Sequence, residues 1–303
     1  MSQKIKSKAR TILARAEKRF YPIVQNLPLR LPFPDFMVIG AMKGATTWLF
    51  ENLARRPDVF MPKNKEDYFF SHDFFNRSLF SYLKRFRGGR GLIKGEVTPG
   101  YGILSIDRIK NIHAFNPELR LIFIARNPID RSWSEAIMNL VDKPKRPLCD
   151  VTAADFLCYV LSEGCRARSN YCAILTNWLS VFPRDQVFVG LYDDVGNDPE
   201  TFLRTIFRHI GLKSEAEWNP FPADKVIVPH YETNGGVNGG VAAPDARQSP
   251  EMPPDVRAVL WEMYEAEIIC FGKKYNLPVA AWLDQYDDVK VGISSNSIRD
   301  FDS

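Results

Sequence analysis

The stretch Pro34-Asp35-Phe36-Met37-Val38-Ile39-Gly40-Ala41-Met42-Lys43-Gly44-Ala45-Thr46-Thr47-Trp48-Leu49-Phe50-Glu51-Asn52-Leu53 decides the fold. Phe36 to Ile39 is a short apolar run with β-branched members. It breaks into Gly40 to Thr47 and resumes at helical spacing through Leu49, Phe50 and Leu53. That is a strand, a glycine-containing loop and the start of a helix. The two glycines let backbone N–H groups crowd around a ligand, and a helix N-terminus offers unpaired donors and partial positive charge. Lys43, Thr46 and Thr47 add side-chain donors. All of these suit a phosphate; the plainer alternative is a tight turn with a solvated lysine.

A nucleoside-triphosphate P-loop requires G-x-x-x-x-G-K-[ST], with lysine directly after the second glycine. Here Lys43 precedes Gly44 and Ala45 follows it, so that signature fails. The order Lys-Gly-x-Thr-Thr instead resembles the 5′-phosphosulfate loop of sulfotransferases that use 3′-phosphoadenosine 5′-phosphosulfate. The resemblance implies that Lys43, Gly44, Ala45, Thr46, Thr47 and Trp48 cradle the 5′-phosphate. Lys43 would lie against the oxygen that joins phosphate to sulfate.

Arg120 to Ala125 is a continuous apolar strand after its first charge, and Arg126-Asn127-Pro128-Ile129-Asp130-Arg131-Ser132-Trp133-Ser134 follows it. Proline is tolerated in a first helical turn, so a helix is expected to begin close to Pro128. Arg126 at the strand end and Ser134 two turns into that helix are placed to converge on one anion, which a planar guanidinium can bind bidentately. The alternative is a capped helix whose arginines pair with surface carboxylates. Arg-x-Pro-x-x-Arg-x-x-Ser closely resembles the 3′-phosphate motif of the same family, with Arg126 and Ser134 as the matching residues. Further on, Arg168 and Tyr171 match an Arg-Gly-x-Tyr segment in which Ser169 replaces the glycine. Both are candidates for the same pocket.

Lys63-Asn64-Lys65-Glu66-Asp67-Tyr68-Phe69-Phe70 sets two lysines and a carboxylate before an aromatic run. A carboxylate in an apolar, lysine-lined site suits a general base, although the same residues also describe a solvated charge cluster. Lys-Glu-x-x-Phe-Phe resembles the segment of heparan-sulfate-type sulfotransferases whose glutamate takes the acceptor's proton. The resemblance makes Glu66 the base and Lys65, with Lys43, a stabiliser of charge on the departing oxygen. Phe69, Phe70, Phe74 and Phe75 read as core, and His72 as a surface residue near the cleft. Glu96-Val97-Thr98-Pro99-Gly100-Tyr101 ends a second strand, Leu92 to Val97. It resembles the family's Glu-x-[Ser/Thr]-Pro-x-Tyr, but Val97 stands where several animal glycan-modifying members carry a lysine.

The rest of the chain sets limits. Its 303 residues, 45% hydrophobic and 25% charged, allow one large globular domain or two small ones, and the net charge of +4 permits anionic ligands without implying nucleic acid. No stretch approaches the roughly 20 apolar residues of a membrane span, and the N-terminus has no apolar signal core, so a cytoplasmic protein is expected. The five cysteines show no C-x-x-C pair and the four histidines no metal-ligand spacing, so neither a disulfide framework nor a metal site is expected. Residues 1–34 form a basic extension with Ile5, Ile12, Leu13, Ala16 and Phe20 near one helical face. It suits peripheral contact with an anionic membrane, or packing on its own domain. Residues 35–284 form the sulfotransferase domain and 285–303 a tail. Within the domain, Lys213 to Asp255 is a long glycine- and proline-rich loop whose only arginine, Arg247, is a weak candidate for the 3′-phosphate.

Alternating strands and helices predict an α/β protein with a central parallel sheet flanked by helices, a P-loop-like three-layer fold. The implied activity is sulfuryl transfer from 3′-phosphoadenosine 5′-phosphosulfate, leaving adenosine 3′,5′-bisphosphate. The acceptor would be a hydroxyl or amine on a glycan, a glycolipid or a small hydroxyl compound, with no metal required. A nucleotide kinase would need a magnesium-ligating Ser or Thr after a P-loop lysine, which is missing. A non-catalytic nucleotide-binding module is the alternative from another class.

Overall fold

Five consecutive residues with no polar side chain, Phe36–Gly40, form strand β1, and all five are buried. Burying Phe36, Met37, Val38 and Ile39 contributes about 1.5–3 kcal/mol for each side chain. A strand apolar on both faces belongs inside a parallel sheet. In the computed structural model, which describes residues 31–74, 76–212, 220 and 250–289, β1 is the central strand of five. The order is β2-β3-β1-β4-β5, with β2 Val59–Phe60, β3 Ile93–Val97, β4 Arg120–Ala125 and β5 Val187–Leu191. β1 runs parallel to β3 and to β4, with Phe36 opposite Gly95 on one side and Arg120 on the other. β2 runs parallel to β3. The expected α/β fold with a parallel central sheet is observed.

The helices are α1 Thr46–Ala54, α2 Leu79–Leu83, α3 Ile106–Phe115, α4 Pro128–Ile137, α5 Ala153–Val160, α6 Glu163–Ser169, α7 Tyr171–Leu179, α8 Tyr192–Asn197, α9 Pro199–His209, α10 Pro254–Tyr275 and α11 Ala280–Asp284. The chain divides into two units. The first comprises residues Met1–Ala41, Ala45–Ile124 and Leu175–Ala223, and holds the whole sheet. The second comprises Met42–Gly44, Ala125–Ile174 and Asp224–Ser303. In the second unit Trp133 packs on Phe156 at 4.6 Å between centroids, and Phe271 stacks on Trp282 at 6.2 Å. Val256, Leu260, Trp261, Tyr264, Ile268 and Phe271 give α10 one buried stripe. α4 begins where the sequence places it: the Asn127 side chain accepts from the Ile129 N–H at 3.0 Å, and Pro128 occupies the first turn.

Val59–Phe60 adds a strand, so Ile93–Val97, read as the second strand, is the third and Arg120–Ala125 the fourth. β5 ends at Leu191 because Tyr192 already opens α8. α4 runs on into a π-helical turn, Met138–Asp142. Residues 1–30 of the basic extension, Phe75, Arg247 with most of its loop, and 290–303 of the tail lie outside the described residues.

Gly95 shows how tightly β1 and β3 fit. A Cβ there would lie 2.0 Å from Phe36 Cζ and 2.7 Å from Met61 Sδ. Gly95→Ala is therefore expected to cost about 1–3 kcal/mol, measured by urea unfolding. Adding Phe36→Leu should recover part of that loss; strictly additive losses would contradict the contact.

Candidate active site

The loop after β1 has a backbone that its sequence disguises. The residues in left-handed conformation are Lys43, at φ 68°, and Ala45, at φ 57°, and neither Gly40 nor Gly44 is among them. Each costs an L-residue about 1–2 kcal/mol, a strain that concentrates where function over-determines the backbone. Gly40 is needed for space, since a Cβ would lie 2.5 Å from the Phe123 ring. Ala45 leads directly into α1, whose first-turn N–H groups have no intrahelical carbonyl and suit an anion. Trp48 is wholly buried and stacks on Phe202, so its contribution to a ligand is limited to its main chain.

Within the second unit, Arg126 Nη1 donates to the Lys43 carbonyl at 3.2 Å. The Tyr171 hydroxyl donates in turn to the Arg126 carbonyl at 2.6 Å, and burial pushes its pKa up. Tyr171 is 1% exposed, so it positions Arg126 from behind. The hydroxyl of half-buried Ser134 has no hydrogen-bond partner among the described residues, which leaves it able to take an anion. Lys43 Nζ lies 3.9 Å from Met138 Sδ. At the other end of that π turn, Asp142 carries a buried Oδ2 with no partner among the described residues. Burial pushes the Asp142 carboxyl up, and the charge of Lys43 opposes this in part.

Behind α4 lies an ionic cluster that the sequence motif contained without announcing. Arg131 is fully buried and donates to Glu135 at 2.6 Å, to Ser169 at 2.6 Å and to the Cys165 carbonyl at 3.1 Å. Glu135, 1% exposed, also takes Arg168 at 2.6 Å and the Tyr159 hydroxyl at 3.1 Å. Burial pushes the Glu135 carboxyl up, but the two arginines outweigh it and hold the group below its usual range. Arg168 is thus tied to Glu135, with a buried Nε that has no partner among the described residues. The i, i+4 spacing of Arg131 and Glu135 was the available signal.

In the first unit, Lys65 Nζ donates to Thr47 Oγ1 at 2.8 Å and reaches Glu66 Oε1 at 3.3 Å. The Tyr68 hydroxyl donates to the other Glu66 oxygen. Burial lowers the Lys65 pKa against the opposing pull of Glu66. One lysine thus links the carboxylate to a threonine at the start of α1. Glu66 sits on a fixed segment. Thr98 Oγ1 accepts from the Asp67 N–H at 3.1 Å, and Tyr101 accepts from the Phe70 N–H at 3.2 Å while donating to the Asp67 carbonyl at 3.3 Å. Asp67 is also clamped by Arg77 and Arg85. Buried Glu96 accepts from Thr98 and Tyr82, so the Glu-x-Thr-Pro-x-Tyr segment braces the strip that carries Glu66. Phe69, Phe70 and Phe74 are core, as expected. His72 stacks on Tyr68 at 5.4 Å.

Residues 103–216 match the model of the sulfotransferase family. The heparan sulfate glucosamine 3-O-sulfotransferase 6 of Mus musculus is 30% identical over 193 residues, 63% of this chain and 56% of that protein. The protein of the same name from Homo sapiens is 30% identical over 189 residues, 61% of this chain and 54% of its own length. The chain thus spans about half the length of the curated relatives it matches. The crystal structure of a sulfotransferase from Alicyclobacillus acidocaldarius shares the fold, with a TM-score of 0.63 at 22% identity over 82% of this chain and 98% of that one. The chain is thus similar to sulfotransferases over the matched residues and shares their fold. The matched segment includes Arg126, Ser134, Arg168 and Tyr171 and begins after Lys43 and Glu66.

Asp142 generates a test independent of any ligand. Its raised pKa means that the folded chain holds the proton more tightly than the unfolded one, so stability falls as pH rises through that window. Asp142→Asn is expected to raise the melting temperature near neutral pH. The gain should vanish in acid below the ordinary aspartate value, where both states are protonated. Melting curves across that range check this, and a gain independent of pH would contradict it.

Proposed function

We propose that the chain transfers a sulfuryl group from 3′-phosphoadenosine 5′-phosphosulfate to an acceptor hydroxyl or amine by in-line displacement. The observation that carries this reading is the hydrogen bond from Arg126 of the second motif to the carbonyl of Lys43 in the first. The residues present fit a doubly phosphorylated nucleotide. Lys43, Thr46, Thr47 and the loop amides would hold the 5′-phosphate, and Arg126 with the unpartnered Ser134 hydroxyl would hold the 3′-phosphate. When bound, the donor supplies the sulfuryl group and a stable leaving phosphate.

The chain's own part is then placement and charge. Glu66 takes the proton from the acceptor. Lys65, placed between Glu66 and Thr47, pairs with that carboxylate and adds positive charge beside the phosphate loop. Lys43 balances the negative charge that develops on the departing oxygen. The heparan sulfate enzymes among the relatives favour a glycan acceptor here, ahead of a glycolipid or a small hydroxyl compound.

Glu66→Gln is the decisive variant. It is expected to lower transfer from labelled donor by at least about 100-fold. Affinity for adenosine 3′,5′-bisphosphate should stay within about threefold of the parent chain, because Glu66 holds neither phosphate in this scheme. Loss of binding together with turnover would remove Glu66 from the role of base.

A further inference from the structure

Cys172, in the first turn of α7, and Cys270, on α10, are 98 residues apart in sequence, yet their sulfurs lie 3.4 Å apart. Neither is in a disulfide, and Cys172 is half-buried and Cys270 exposed. A disulfide bond is about 2.05 Å long, so closing this pair requires about 1.4 Å of approach by two short side chains. The backbone on each side is already held. Tyr171 packs edge-on against Phe271 at 5.3 Å, and these two are the chain neighbours of the cysteines. Glu267, one turn before Cys270, accepts from the Cys172 N–H at 2.8 Å.

We propose that Cys172 and Cys270 are a redox modification site, closing to a reversible disulfide that staples the start of α7 to α10. The oxidant is a low-molecular-weight disulfide such as oxidised glutathione. Exposed Cys270, as thiolate, attacks one glutathione sulfur, breaks the glutathione S–S bond and releases one glutathione thiolate. Cys172 then gives up its proton and attacks Cys270 Sγ. The protein S–S bond forms as the second glutathione leaves. Two protein thiols are oxidised and one glutathione disulfide is reduced to two thiols. Burial, with Cys270 and Glu267 alongside, pushes the Cys172 thiol up to about 12, so the closing step runs slowly at neutral pH and faster in mild alkali.

The staple bears on the anion site. Cys172 adjoins Tyr171, whose hydroxyl holds the Arg126 carbonyl, so the bond fixes the helix turn that orients the arginine of the second motif.

The test equilibrates the whole chain with oxidised glutathione in mild alkali, then counts free thiols and maps peptides without reduction. The expected result is a fall from the five free thiols to three and one cross-linked peptide pair, Cys172 with Cys270. Cys270→Ser should abolish that pair, and Cys158→Ser should leave it intact. Separate glutathione adducts on Cys172 and Cys270, both thiols remaining free, or a cross-link from either to another cysteine would each overturn the proposal. The map of the parent chain decides the matter even if a variant fails to fold.

Discussion

An arginine that donates to the main chain of a lysine is the contact on which the site depends. Arg126 follows β4 and its guanidinium reaches the carbonyl of Lys43, a residue held in a left-handed conformation. Left alone, that conformation would relax, because a Cβ opposes it. Tyr171 holds Arg126 by its own carbonyl, and Asn127, the next residue, caps α4 and donates to the Trp282 carbonyl at 3.0 Å. The strained loop is therefore stabilised by a chain of hydrogen bonds running into the core of the second unit.

A similar division of labour holds around Glu66. The carboxylate proposed to take a proton is contacted by Lys65 and Tyr68, while the strip that carries it is pinned at Asp67 and Phe70 by Thr98 and Tyr101. Those pinning groups rest on buried Glu96, whose carboxyl burial pushes up and whose hydrogen bonds pull back. Deep charges serve geometry here, and the partly exposed ones are left for chemistry. The same contrast separates Arg131 and Glu135, fully buried behind α4, from Arg126 and Ser134 on its half-buried side. Removing one partner of a buried ion pair costs about 3–5 kcal/mol, so changes at Arg131 would act through stability first.

What the sequence revealed follows from which signals are local. β1, the loop and α1 were legible because an apolar run, a glycine break and a helical period succeed one another within one short stretch. The start of α4 was legible because Asn-Pro after a buried strand has few other meanings. The left-handed residues were not, because propensity assigns that conformation to glycine, and here surrounding contacts impose it on Lys43 and Ala45. The π turn at Met138–Asp142 breaks no composition rule and leaves no trace in periodicity. That Arg131, Glu135 and Arg168 pair was not legible, since only packing tells a buried ion pair from a solvated one. Cys172 and Cys270 meet across 98 residues with no motif to connect them.

The central claim is that the Lys43 loop and Arg126 grip one ligand by two phosphates. Calorimetric titration of the parent chain with adenosine 3′,5′-bisphosphate and with adenosine 5′-phosphate tests it most directly. The account predicts that the bisphosphate binds at least about tenfold tighter, roughly 1.4 kcal/mol, and that Arg126→Ala removes most of that difference. Equal affinity for the two nucleotides, or a preference that survives Arg126→Ala, would contradict it.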